Sequence, residues 1–235
     1  MSASTESGVV EAVGKELFIG GKWVAAQDGK TFPVVDPATG KELCHVADAS
    51  PSDGLAALDA AVAAQADFAK MAPRERGEIL RRAYELLMQR QEELALLMTL
   101  EMGKPLAESK GEIAYAAEFF RWFAEEAVRI GGGYATAPNG VGRFLITKQP
   151  VGPTLLITPW NFPMAMGTRK IGPAIAAGCT MVWKPAKQTP LCALALTQIL
   201  EDAGLPKGVL NLLLAKSSGE TMEPLIKDPR ARKPG

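Results

Sequence analysis

The chain has 235 residues, 47% of them hydrophobic, enough to fill the core of one large domain or two small ones. Its 26 Lys and Arg balance its 26 Asp and Glu, so no net field draws nucleic acid or an acidic membrane surface, and a small-molecule partner is the better expectation. The single histidine, His45, leaves almost no room for Ser-His-Asp catalysis or a multi-histidine metal centre, and Cys44, Cys179 and Cys192, with no C-x-x-C spacing, argue against disulfides and zinc and for a reducing cytoplasm.

Residues 1–14 carry neither the charged start and apolar run of a secretory signal nor the arginines of a transit helix, and read as a flexible tail. No run of about 18 apolar residues occurs, so no membrane span is expected. Residues 15–133 read as short strands followed by a helical layer. The strands are Leu17 to Ile19, a turn at Gly20-Gly21-Lys22, Trp23, and Thr31 to Val35 closed by Asp36-Pro37-Ala38-Thr39-Gly40. Ser50, with Pro51 and with Asp53 three residues on, predicts a capped helix through about Phe68. A second helix starts near Pro73, carries the stripe Ile79, Leu80, Ala83, Leu86, Leu87, Leu94 and Leu97, and ends at Gly103. Pro105 starts a third through Phe119, Phe120, Trp122 and Phe123, stopped by Gly131-Gly132-Gly133.

Residues 134–149, around Pro138-Asn139-Gly140, read as a β-hairpin that could serve as an oligomerisation arm. Residues 150–235 then alternate: strands Thr154 to Thr158, Thr180 to Lys184 and Val209 to Leu214, helices Ala165 to Ala177 and Leu191 to Ala203. Continuous apolar strands separated by helices predict an α/β fold with a parallel, Rossmann-like βαβαβ sheet. Ligands of such sheets bind beyond the carboxyl ends of the strands, which places Thr158 to Pro163 and Lys184 to Pro190 in one crevice. Neither the G-x-G-x-x-G fingerprint nor a P-loop is present.

In that crevice ITPWNFP, followed by GPAIAAGCTMVWKPAKQTP, resembles the cofactor-binding core of the aldehyde dehydrogenase family. FIGGKW, DPATG, EMGKP, QPVGP and LPKGVLN fall in matching order around it, and the likeness runs from about Leu17 to about Lys233. The stretch is most similar to the family's succinate-semialdehyde dehydrogenase subgroup. The resemblance implies oxidation of an aldehyde, succinate semialdehyde in the first place, to the carboxylic acid with NADP, or alternatively NAD, in a homo-oligomeric cytoplasmic parent with no metal and no nucleic-acid or membrane partner.

The resemblance also implies roles for individual residues. The Asn161 amide would donate to the oxyanion formed on the aldehyde, where one donor is worth about 3 to 4 kcal/mol. Thr158, Pro159, Trp160, Lys184, Pro185 and Lys187 would bind the cofactor, Lys184 through the adenine ribose. Lys187 stands where many NAD-preferring relatives carry glutamate, and the reversed charge implies NADP. Arg169 would grip the distal carboxylate of the substrate with its planar fork, and Phe120 and Trp122 would line the same pocket. Read without the resemblance, Asn161 only shapes a turn, Lys184 is a solvated strand end, Arg169 is a surface residue and the aromatic stripe is core. The family's nucleophilic cysteine and glutamate base have no match. Cys179 at the amino end of a strand and Cys192 in an apolar helix are not substitutes, so the chain is expected to be a truncated, inactive cofactor-binding part without the catalytic domain. The alternative is a non-catalytic nucleotide-binding or subunit-association module.

Overall fold

The computed structural model describes residues 5–234. The first element, α1 (Glu6–Glu11), departs from the expected flexible tail. Thr5 caps it by accepting from the Gly8 amide at 3.1 Å, Lys15 donates to the Val10 carbonyl at 2.6 Å near its other end, and Val9, Val10 and Val13 are buried. Val9 and Val10 on the helix and Val13 just beyond it bury one apolar side, and that burial is what orders the segment. Residues 1–4 of the expected tail lie outside the described residues.

β1 (Leu17–Ile19) and β2 (Lys22–Val24) form a tight hairpin whose two turn residues, Gly20 and Gly21, both take positive φ. β3 (Thr31–Val35) and β4 (Glu42–Ala47) pair as a separate two-stranded sheet. α2 (Pro51–Lys70) opens on the expected capping box between Ser50 and Asp53. The helix expected from Pro73 to Gly103 is two: α3 (Pro73–Gln89) and α4 (Gln91–Met102), separated by Arg90 at φ −99 and ψ 14. The bend lets α3 lie on α5 (Leu106–Glu126) while α4 reaches α1 and α7 (Pro190–Asp202), which a straight rod could not do. Gly103, at φ +80, ends α4 in the left-handed conformation that glycine adopts without strain.

β5 (Gly133–Thr136) and β6 (Arg143–Ile146) form the expected exposed hairpin. Beyond it come β7 (Thr154–Ile157), α6 (Ala165–Ala177), β8 (Met181–Lys184), α7, β9 (Leu210–Leu212), α8 (Ser218–Lys227) and β10 (Lys233–Pro234). The six-stranded sheet has the order β10-β7-β8-β9-β1-β2. Its β7-β8-β9 part is parallel as expected, β10 adds a parallel edge strand beside β7 that the sequence-based reading lacks, and the β1–β2 hairpin extends the sheet antiparallel to β9. Buried Asn211 makes that join: its amide nitrogen donates to the carbonyls of Met181 (3.2 Å) and Gly208 (2.9 Å), and its oxygen accepts the Gly20 amide at 2.8 Å. Trp183 sits fully buried in the sheet. α6 comes so close to it at Gly167 that a Cβ there would lie 2.8 Å from the indole ring.

Candidate functional site

Two loops leave the carboxyl ends of adjacent strands. Ile157 of β7 is opposite Lys184 of β8, and the Thr158 amide donates to the Lys184 carbonyl at 3.2 Å. The Trp183 indole nitrogen donates to the Thr158 hydroxyl at 3.0 Å and ties the base of the first loop to the second strand. Between these loops and the β3–β4 hairpin lies a cleft of about 640 Å³. It is lined by Trp160, Lys187, Gln188 and Thr189 from the loops, by Phe32, Val34, Val35 and Pro37 from the hairpin, and by Glu101, Met102 and Lys216. The hairpin wall is absent from the sequence-based reading, which treats those residues as strands and a turn only.

Of the expected site residues, Trp160 and Lys187 line the cleft together. Lys184 is 3% exposed and hydrogen-bonds through its ammonium to the Ser218 hydroxyl at the start of α8; burial, and then the neighbouring charge of Lys187, lower its pKa to about 8. Pro185 is buried, whereas Pro159, Asn161, Lys187 and Arg169 are exposed. Phe120 and Trp122, expected in one pocket, face different ways. Phe120 is fully buried where α5 meets Gly172 of α6, and Trp122 is 63% exposed in a separate apolar patch with Tyr115, Phe119 and Phe123. Residues two apart on a helix point roughly 200° from each other, so both cannot line one wall.

The helices that follow the two loops have their amino ends occupied by carboxylates of the helical layer. Glu101 of α4 accepts from the amides of Leu191 and Cys192 in the first turn of α7, the latter at 2.9 Å. Glu112 of α5 accepts from the amides of Met164 (3.0 Å) and Ala165 (3.2 Å) at the start of α6 and forms a buried ion pair with Lys104. A carboxylate at a helix amino end satisfies orphan amides and meets a favourable dipole. Because Glu101 takes the α7 amides, Thr189, the residue just before that helix, caps nothing, and its buried hydroxyl has no partner. Sequence reasoning missed Glu101, Glu112 and Lys104. One signal was available: Leu94, Leu97, Met98 and Glu101 share one buried helical phase, and a carboxylate in an apolar stripe calls for a partner.

Cys192 is fully buried, and burial first, with Glu101 second, raises its thiol well above the ordinary value. Cys179 is buried before the amino end of β8, away from the cleft. Among the described residues no group of three His, Cys, Asp or Glu could hold a metal ion, and no helix is long and apolar enough to cross a membrane.

Residues 23–233 match the aldehyde dehydrogenase family. The chain is 58% identical over 191 residues to the succinate-semialdehyde dehydrogenase of Paenarthrobacter nicotinovorans, a match covering 81% of this chain and 42% of that protein. It is 48% identical to the NADP(+) succinate-semialdehyde dehydrogenase of Escherichia coli, over 93% of this chain and 45% of that one. The crystal structure of succinate-semialdehyde dehydrogenase from Burkholderia pseudomallei superposes with a TM-score of 0.92 at 44% identity, over 94% of this chain and 46% of that one. The chain thus spans a little under half the length of these relatives. From the ordered motifs, the paired loops and a likeness that covers nearly the whole chain, the chain belongs to the aldehyde dehydrogenase family.

Proposed function

We propose that the chain is the cofactor-binding part of an NADP-preferring succinate-semialdehyde dehydrogenase. The observation that carries this reading is the pairing of Ile157 with Lys184, which starts the two loops side by side, so that Trp160 of one and Lys187 of the other line the same cleft. The residues present suit a dinucleotide. Lys184 and Ser218 offer donors to ribose hydroxyls, Lys187 offers a charge to a 2′-phosphate, and Thr189 brings a buried hydroxyl with no internal partner. The amino ends of α6 and α7 are already filled by Glu112 and Glu101, which fits a chain without a glycine-rich phosphate loop. When bound, the nicotinamide supplies the hydride acceptor.

The chain's own residues do the rest of the binding and polarising. Asn161, exposed beside the cleft loop, donates to the oxygen on which charge develops. Arg169, exposed on α6, pairs with the distal carboxylate of the substrate, and the core position of Phe120 leaves it a packing role. None of the three cysteines suits attack. Cys44 and Cys192 have thiols raised by burial, and Cys179 lies at the wrong end of its strand. On this reading the nucleophilic thiolate and the base come from outside these 235 residues. Titration with NADP, followed by tryptophan fluorescence with Trp160 half exposed at the cleft, tests the proposal beside an aldehyde-oxidation assay. Saturable quenching without oxidation by this chain alone is expected. Failure to quench, with no binding by calorimetry, would remove the cofactor reading, and turnover by the chain alone would remove the assignment of the nucleophile.

A second reading, subunit association, is favoured by the β5–β6 hairpin, where Tyr134, Phe144, Leu145 and Ile146 are all exposed. A sedimentation measurement on the chain and on Leu145→Glu separates a self-associating hairpin from a monomeric one.

A further inference from the structure

The loop that bears Asn161 is held from behind by a charged pair that belongs to neither the loop nor its helix. Glu112 Oε1 receives the amides of Met164 and Ala165, just beyond the loop. Its other oxygen, Oε2, is ion-paired with Lys104, in the turn that follows Gly103. Lys104 Nζ donates to the Asn161 carbonyl at 3.3 Å and lies 4.1 Å from the centroid of the Phe162 ring. Both side chains are out of solvent, 8% exposed for Lys104 and 1% for Glu112. One carboxylate therefore fixes the start of α6, and its ammonium partner fixes the backbone of Asn161 itself.

We propose that Lys104 and Glu112 are positioning residues, which hold the Trp160–Phe162 segment in the shape that presents the Trp160 ring and the Asn161 amide to cofactor and aldehyde. Stability alone does not account for such a pair. Taking two charges out of water costs about as much as their attraction returns, and apolar or neutral side chains of similar size serve a core as well or better. What the pair adds is direction: an ammonium held on one side by Glu112 meets a single carbonyl and a single ring face at set distances. The proposal rests on reading this loop as part of the cofactor site, although the bracing can be observed without any cofactor.

The test is the double variant Lys104→Met/Glu112→Gln. It leaves no unpaired buried charge and keeps an oxygen for the Met164 and Ala165 amides, but it removes the donor to Asn161. Amide hydrogen exchange of the segment 158–166, whose protected amides are those of Thr158, Met164, Ala165 and Met166, is compared with that of β8, so that a general loss of stability cancels. The expected result is loop exchange at least tenfold faster relative to β8, with NADP bound at least tenfold more weakly by a chain that still melts cooperatively. Unchanged relative exchange would overturn the bracing. Faster loop exchange with unchanged NADP affinity would overturn the positioning role. If the parent chain binds no NADP, the functional reading falls with it, and the exchange ratio still decides the bracing.

Discussion

Glu101, at the end of the helical layer, accepts the Cys192 amide at 2.9 Å and so pins the helix that follows the Lys184–Thr189 loop. Burial pushes the Glu101 carboxyl up to about 7, against the amides of Cys192 and Leu191 and the charge of Lys15. A carboxyl raised in the fold holds its proton more tightly there than in the unfolded chain. Its contribution to stability is therefore complete below its ordinary value of 4.5 and is lost as the pH rises through about 7. At about 1.4 kcal/mol per pH unit, this amounts to about 3 kcal/mol. The Cys192 thiol stays neutral through the window, since it too is raised. Glu101→Gln removes the titration, so the melting temperature of the parent chain relative to the variant should drop by several degrees between pH 4.5 and 8. A difference that does not move with pH would show that Glu101 is not the titrating group.

Trp183 is gripped from two directions, by the Thr158 hydroxyl at 3.0 Å and by the bare Cα of Gly167. Gly167→Ala would put a Cβ 2.8 Å from the indole and 3.1 Å from Leu196, an overpacking that costs about 1 to 3 kcal/mol. Thr158→Val would leave a buried indole N–H without an acceptor, at about 1 to 3 kcal/mol. Both changes act on one ring, so in urea unfolding the double variant should lose less than the sum of the single losses. Strict additivity would mean that the ring does not couple helix to strand.

The elements that sequence reading recovered are those whose signal is local. The capping box at Ser50, the glycine turn of β1–β2 and the apolar runs of β7, β8 and β9 all appear where their residues place them. The bend at Arg90 did not show, because the buried phase runs on from Leu87 of α3 to Leu94 of α4 and both helices pack on α5 and α7. α1 was hidden by its length, since three valines over five residues make too short a stripe to distinguish from a tail. At the site, the two loops could be placed as neighbours from strand order alone. The cleft wall from the β3–β4 hairpin and the Glu101, Lys104 and Glu112 contacts could not, because they join positions tens of residues apart.

Lys187 and Lys184 predict both the cofactor preference and its pH dependence. Two charges about 4 Å apart interact by about 4 kcal/mol at a surface-like dielectric, and solvent screening of exposed Lys187 reduces this, which still leaves room for a tenfold effect. Lys187→Glu should shift the ratio of NADP to NAD affinity toward NAD by at least tenfold. It should also remove the repulsion that helps hold Lys184 near 8. In the parent chain NADP affinity should therefore weaken as the pH rises through about 8 and the Lys184 ammonium loses its proton, and in Lys187→Glu that weakening should move to higher pH. Fluorescence titrations from pH 6.5 to 9.5 measure both effects, and an unaltered nucleotide ratio would dismiss the role given to Lys187.

Arg169 lies on α6, the helix whose start is pinned by Glu112, so its exposed guanidinium is carried on a rigid element rather than on a loop. A planar fork on such a support suits a carboxylate at a set distance from the reacting aldehyde, and a charge-assisted pair of this kind is worth about 1.5 to 3 kcal/mol. In an intact dehydrogenase carrying this segment, Arg169→Leu should therefore lower kcat/KM for succinate semialdehyde by roughly 10- to 150-fold. For an uncharged aldehyde of similar length the same change should have little effect, because no carboxylate is left to lose its partner. Steady-state kinetics with the two substrates side by side make the comparison. Equal losses would place Arg169 in the support of the helix rather than against the substrate.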